Sequence, residues 1–110
     1  MICHNKNIVD NLTDDLLKPK YRGSNNKYWG HCYVATEAAY YLYGKKENYK
    51  PHYIKINGDT HWFLKRGKDI IDLTKNQFNF DVDYSKSRGC GFLSSKPSKR
   101  CKILLNRICI

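Results

Sequence analysis

Between Pro51 and Leu73 the chain alternates three short β-type runs with two turn signals, and this commits it to an antiparallel sheet. Pro51 to Ile56 alternates, with His52, Ile54 and Ile56 on one side and Tyr53 and Lys55 on the other. Asn57-Gly58, with Asp59 beside it, is a hairpin signal, because both residues accept the positive φ that a tight two-residue turn requires. His61-Trp62-Phe63-Leu64 follows, rich in side chains that suit a pleated surface. A turn around Arg66-Gly67 then leads to Asp69-Ile70-Ile71-Asp72-Leu73. The expectation is a three-stranded meander.

Upstream of it, Cys32 to Gly44 reads as a helix. Val34, Ala35, Ala38, Leu42 and one edge of Tyr41 recur at helical spacing and line one face. Gly44 suits the left-handed position past a helix end, and Lys45 and Lys46 suit the negative end of the helix dipole. Cys32 then falls in the first turn, where unpaired N–H groups and the positive dipole end favour a thiolate. The alternative for Cys32 is a small buried hydrophobe.

The remaining segments are helical or irregular. Residues 8–18 are expected to form a short amphipathic helix, capped by Asn11 or Thr13, with Ile8, Leu12, Leu16 and Leu17 inward and Pro19 as its stop. Residues 19–31, with Pro, Gly, Ser and two Asn, read as a loop into the cysteine helix. Thr74 to Phe78 suggests one capped helical turn, and residues 79–92 read as irregular. Residues 96–109 suggest a helix capped by Ser95 or Ser98, with Cys101, Leu104, Leu105 and Ile108 on one face. The fold class expected is α+β, one domain over residues 1–110, with helices packed on a small antiparallel sheet.

Composition narrows the partners. The net charge of +10 attracts nucleic acid, acidic protein or anionic lipid, but the lysines and arginines are scattered along the chain, which is equally a means of staying soluble. No nucleic-acid-binding motif is present, so nucleic acid is the less favoured partner. No run of eighteen apolar residues spans a membrane. Met1-Ile2-Cys3-His4-Asn5-Lys6 lacks the apolar centre of a secretory leader, so a cytoplasmic protein is expected. The five cysteines, Cys3, Cys32, Cys90, Cys101 and Cys109, form no regular framework and read as free thiols. Neither Cys-x-x-Cys nor His-x-x-x-His occurs, so no metal and no cofactor is expected.

A chemical constellation follows from the strands. If the second hairpin turns at Arg66 and Gly67, His61 lies directly opposite Asp72 and Phe63 opposite Ile70. The Asp72 carboxylate can then fix the His61 tautomer and stabilise its imidazolium. With Cys32 at the start of a helix packed on that sheet, the three form a Cys-His-Asp arrangement. His61 removes the thiol proton, the thiolate attacks a carbonyl, and His61 later protonates the leaving group. The Cys32 N–H is the natural oxyanion donor, helped by Asn25, Asn26 or His31 from the preceding loop. Trp29, Tyr33 and Trp62 are candidates to line the substrate cleft. Each member also has a structural alternative: His61 a half-buried strand histidine, Asp72 an N-cap for the turn at Thr74.

The pattern resembles a known group. Gly30-His31-Cys32 before Val34-Ala35-Thr36, then Thr60-His61-Trp62, then Ile71-Asp72-Leu73-Thr74-Lys75-Asn76-Gln77-Phe78 resemble the GxC, His-aromatic and DLTxxQF segments of the small YunG-like proteins. More broadly, the order resembles the papain-like and transglutaminase-like superfamily that includes peptidases of the NlpC type. The resemblance implies a papain-like minimal core and the triad Cys32, His61 and Asp72. It implies little about substrate. Where the YunG-like pattern often carries Gln before the cysteine, this chain has His31, which leaves the oxyanion side chain open. The function expected is a cysteine hydrolase or acyl transferase acting on a protein, a peptide or a small amide or ester. The alternative is a catalytically inactive papain-like scaffold acting as a basic binding or inhibitor protein, phage-encoded and directed at a host protein or nucleic acid.

Overall fold

The structure, a computed structural model, describes residues 2–13, 31–56, 59–75, 82–89, 91–92 and 97–108. Its elements in chain order are α1 (Ile2–Asp10), α2 (Cys32–Ala39) continued by a π-helical turn (Tyr40–Gly44), β1 (Lys50–Ile56), β2 (Asp59–Arg66) and β3 (Asp69–Ile71). A 3₁₀ turn (Tyr84–Lys86), β4 (Arg88–Gly89) and α3 (Lys99–Ile108) complete them. The strands form one antiparallel sheet in the order β3-β2-β1-β4. The chain is thus a small α+β domain. The expected meander is its first three strands, and β4 is an addition from the stretch read as irregular.

The register of the second hairpin differs from expectation. Lys65 faces Ile70 and Arg66 faces Asp69, so the turn is Gly67-Lys68 rather than Arg66-Gly67. Gly67 has φ of 58°, the positive value that the first turn position of a type II′ hairpin needs and that glycine adopts without strain. Extending this register by one residue sets Asp72 across from Phe63, not His61. Because side chains alternate in twos, that two-residue displacement keeps Asp72 on the same face as His61. In the first hairpin Ile56 pairs with Asp59, and the expected turn residues Asn57-Gly58 lie outside the described residues.

Helix α1 starts and ends earlier than the apolar spacing suggests. Its last residue is Asp10, and the Asn11 side-chain Nδ2 donates to the Asn7 carbonyl at 2.7 Å, so Asn11 closes the helix instead of opening one. Ile8 and Leu12 are buried as expected, while Leu16 and Leu17 lie outside the described residues.

Helix α2 is enclosed on nearly all sides, because α1, α3 and β2 all pack against it. Cys32, Val34, Ala35, Thr36, Glu37, Ala38 and Ala39 are all buried, rather than a single stripe. The π-helical turn inserts an extra residue per turn, which brings Tyr43 and Gly44 inward while Leu42 stays half-buried. Gly44 is not the left-handed cap. That position belongs to Asn48, with φ of 66°. The Tyr49 N–H bonds the Gly44 carbonyl at 2.8 Å and the Asn48 N–H bonds the Lys45 carbonyl at 3.3 Å, the two bonds of a Schellman motif. Glycine is wanted at position 44 for clearance: a Cβ there would lie 2.8 Å from Leu64 Cδ1.

The core is built from Ile8 and Leu12 beside α2, Val34, Ala35, Ala38 and Ala39 of α2 itself, Leu64 of β2, and Cys101 and Leu104 of α3. The cap of α3 is supplied jointly by Ser98 and Glu37. The Cys101 N–H donates to Ser98 Oγ at 3.2 Å, while the Ser98 N–H and hydroxyl donate to the Glu37 carboxylate at 2.9 and 2.6 Å. Among the described residues no helix is long and apolar enough to cross a membrane.

Candidate active site

Three elements meet at the start of β2. Cys32 is the first residue of α2, with His31 before it at the N-cap and no side-chain cap bond. Its thiol donates to the Thr60 carbonyl at 3.6 Å and hydrogen-bonds the ring of His61, the next residue of β2. His61 Nε2 lies 2.7 Å from Asp72 Oδ2, just past the end of β3. That bond occupies Nε2, so Nδ1 is the ring nitrogen left for the thiol. Cys32 is 9% exposed and His61 3%. The structure therefore brings Cys32, His61 and Asp72 together, thiol to imidazole to carboxylate.

Asp72 divides its two oxygens between jobs that sequence reasoning offered as alternatives. Oδ1 accepts the Thr74 N–H at 3.3 Å, as a capping aspartate does. Oδ2 accepts both His61 Nε2 and, at 2.7 Å, the Tyr84 hydroxyl. Tyr84 is held in turn by the 3₁₀ turn that Asp83 caps through the Ser85 N–H, and its ring packs edge-on against Phe63 at 4.8 Å between centroids. Sequence reasoning missed Tyr84. It lies in a stretch without periodicity, and only the Asp83-x-Ser85 capping pair hinted at an ordered turn there.

The electrostatics of His61 follow from these contacts. Burial alone pulls its pKa down by disfavouring the charged ring. The hydrogen bond to Asp72, then that to Cys32, and the charges of both outweigh burial and lift it to about 9. Imidazolium is thus the form of His61 held at neutral pH.

The other sequence candidates separate. His31 is buried, with Nε2 3.0 Å from the Thr13 carbonyl. A carbonyl only accepts, so Nε2 donates there, and that N–H is engaged with the backbone instead of an oxyanion. Its bond instead ties the start of α2 to the segment after α1. Tyr33 and Trp62 meet edge-on with centroids 4.9 Å apart, and Phe92 stacks on Trp62 at 5.9 Å. Trp62 is thereby 8% exposed and forms a floor, while Tyr33 stays half-buried at its margin. Asn25, Asn26 and Trp29 lie outside the described residues, as do Gln77 and Phe78 of the motif around Asp72. Among the described residues no group of three His, Cys, Asp or Glu gathers into a metal-binding cluster. Compared with protein-family models, with curated proteins and with solved structures, the chain matches none.

Proposed function

We propose that the chain is a thiol hydrolase or acyl transferase of the papain-like kind, resembling the YunG-like proteins in pattern, with Cys32 as nucleophile, His61 as acid and base, and Asp72 as orienting acid. One observation carries this reading: a buried histidine whose ring bonds both a carboxylate, at 2.7 Å, and a helix-start cysteine. A carboxylate partner holds one nitrogen of a buried imidazole and leaves the other for a second partner. A second that is itself nucleophilic, set at the positive end of a helix, is what acyl transfer requires.

The steps balance without a cofactor. The Cys32 thiolate attacks a carbonyl carbon, and the C–S bond forms as the carbonyl electrons move onto oxygen. First-turn N–H groups of α2, which have no intrahelical acceptor, face that oxyanion, with the Cys32 N–H foremost. Collapse of the intermediate expels an amine or alkoxide, protonated by the His61 imidazolium, and leaves a thioester. Water or another nucleophile, deprotonated by neutral His61, then attacks the thioester and releases Cys32 as thiolate, regenerating the pair. Hydrolysis, deamidation and transfer share this path and differ in what leaves and what enters.

The test is the iodoacetamide alkylation rate of each cysteine against pH, read by peptide mass spectrometry. An ordinary thiol with pKa near 8.5 reacts little at pH 6. Cys32 should react there at least about tenfold faster than Cys101, and His61→Ala should remove the advantage. Cys32 behaving as an inert thiol in both proteins ends the enzyme reading, and leaves a papain-like scaffold used for binding.

A further inference from the structure

The proposed enzyme leaves its substrate unstated, and the sheet face beside Cys32 bears on that point. Cross-strand partners share a face, so Lys55 with Thr60 and Tyr53 with both Trp62 and Arg88 lie side by side on the surface that Tyr33 adjoins. Thr60 links this surface to the nucleophile: its carbonyl accepts the Cys32 thiol, and its hydroxyl accepts the Lys55 ammonium at 2.6 Å. Lys55 is exposed and that bond uses one of three ammonium donors, so two point to a ligand or to water. Arg88 is exposed on the far side of Tyr53. Tyr53 lies beside both Arg88 and Trp62, and the half-buried ring of Tyr33 stands edge-on to Trp62, with Phe92 stacked on Trp62.

Among the described residues the same face carries no matching negative charge near the thiol. Its carboxylate among the described residues is Asp69, at the opposite end of β2–β3 and bonded to Arg66 at 3.1 Å. Glu37 is buried and spent on Ser98. A surface of two cations around aromatic rings, ending at a nucleophile that attacks acyl carbon, is complementary to one class of ligand.

Resting on the reading of Cys32 as nucleophile, we infer that the substrate is an acidic peptide segment, with a carboxylate seated on Lys55 next to the carbonyl that Cys32 attacks and apolar or aromatic groups lying against Tyr33 and Tyr53. Lys55 is then a specificity-determining residue: it selects the substrate and takes no part in proton transfer.

Binding to the Cys32→Ala protein separates this inference from the catalytic one, because no reaction is needed. The probe is a fluorescein-tagged hexapeptide with glutamates on both sides of a Phe-Gly bond, read by anisotropy against its glutamine counterpart. The glutamate peptide should bind at least about tenfold tighter at 0.15 M salt. Adding Lys55→Glu should erase that preference, and Lys55→Arg should keep it. Lys68→Glu in the β2–β3 turn, an identical change in net charge on an exposed residue, should leave it unaltered. Equal binding of the two peptides, or equal losses from Lys55→Glu and Lys68→Glu, overturns the inference, since net charge alone then governs. An oligothymidylate of matched charge that binds as tightly overturns it in favour of nucleic acid. All three results leave the alkylation test of Cys32 standing on its own.

Discussion

Asp72 Oδ2 accepts from two donors at 2.7 Å, His61 and Tyr84, and this shared oxygen governs how the site titrates. Folding raises the His61 pKa from 6.5 to about 9, so the native chain holds that proton more tightly than the unfolded one. The associated stabilisation, on the order of 3 kcal/mol, is complete below pH 6.5, declines as pH rises, and is gone once pH passes about 9. Under the proposed mechanism acylation needs the His61 imidazolium, so it should show an alkaline limb near pH 9. Tyr84→Phe removes a donor from the carboxylate without adding bulk. More of the charge on Asp72 then falls on His61, while the ring loses part of its lateral restraint. The expected outcome is a limb displaced to higher pH, measured as the titration of the His61 ring by NMR from pH 5 to 10. A limb that stays in place shows that Tyr84 serves only packing against Phe63.

At the scale of elements, some features were legible in the sequence and others were settled by contacts that no local pattern carries. Alternation in 51–56 and 61–64 identified the strands, and parity put His61 and Asp72 on one face even though the turn was placed one residue early. The end of α2 was misread because Gly44 has two uses available to glycine, left-handed φ and lack of bulk, and the proximity of Leu64 that selects the second is a long-range contact. The capping of α3 shows the same limit. Ser98 was a visible N-cap, but its carboxylate partner comes from α2, sixty-one residues away, instead of from the first turn of α3. Burial pushes the Glu37 pKa up against the pull of its Ser98 hydrogen bonds, so a charge there is costly to hold. Glu37→Ala should lose about 2–4 kcal/mol in urea denaturation, because it orphans the Ser98 N–H at a helix start and opens a void between α2 and α3. Glu37→Gln keeps one acceptor and sheds the desolvated charge, and should lose about 1 kcal/mol or less. Equal losses would mean that the volume of the side chain matters and its bonds do not.

Across the whole molecule, the site was legible to the extent that each member carried a local sign: Cys32 before a helical run, His61 in a strand, Asp72 before a turn. The charge distribution was legible only as a sum. A net charge of +10 on so small a domain is self-repelling, and the sheet concentrates part of it by setting Lys50 directly opposite Lys65. Like charges so opposed destabilise a strand pair, and His52 registers the same field: burial first, and then Lys65, hold its pKa below the ordinary value. Salt should therefore stabilise this fold, with melting temperature rising as the screening length shortens toward about 8 Å near 0.15 M. Lys65→Glu turns the opposed pair into an attractive one and should add about 0.5–1 kcal/mol at low ionic strength, a gain that shrinks as salt is added. Lys68→Glu lowers the net charge equally but faces no lysine across the sheet, so it isolates the global term. If the two variants raise the melting temperature alike at 10 mM salt, repulsion is spread over the whole surface. If Lys65→Glu exceeds Lys68→Glu, and only it raises the His52 pKa followed by NMR, the strain is local to the β1–β2 ladder, away from the end of the sheet where Cys32 and His61 meet.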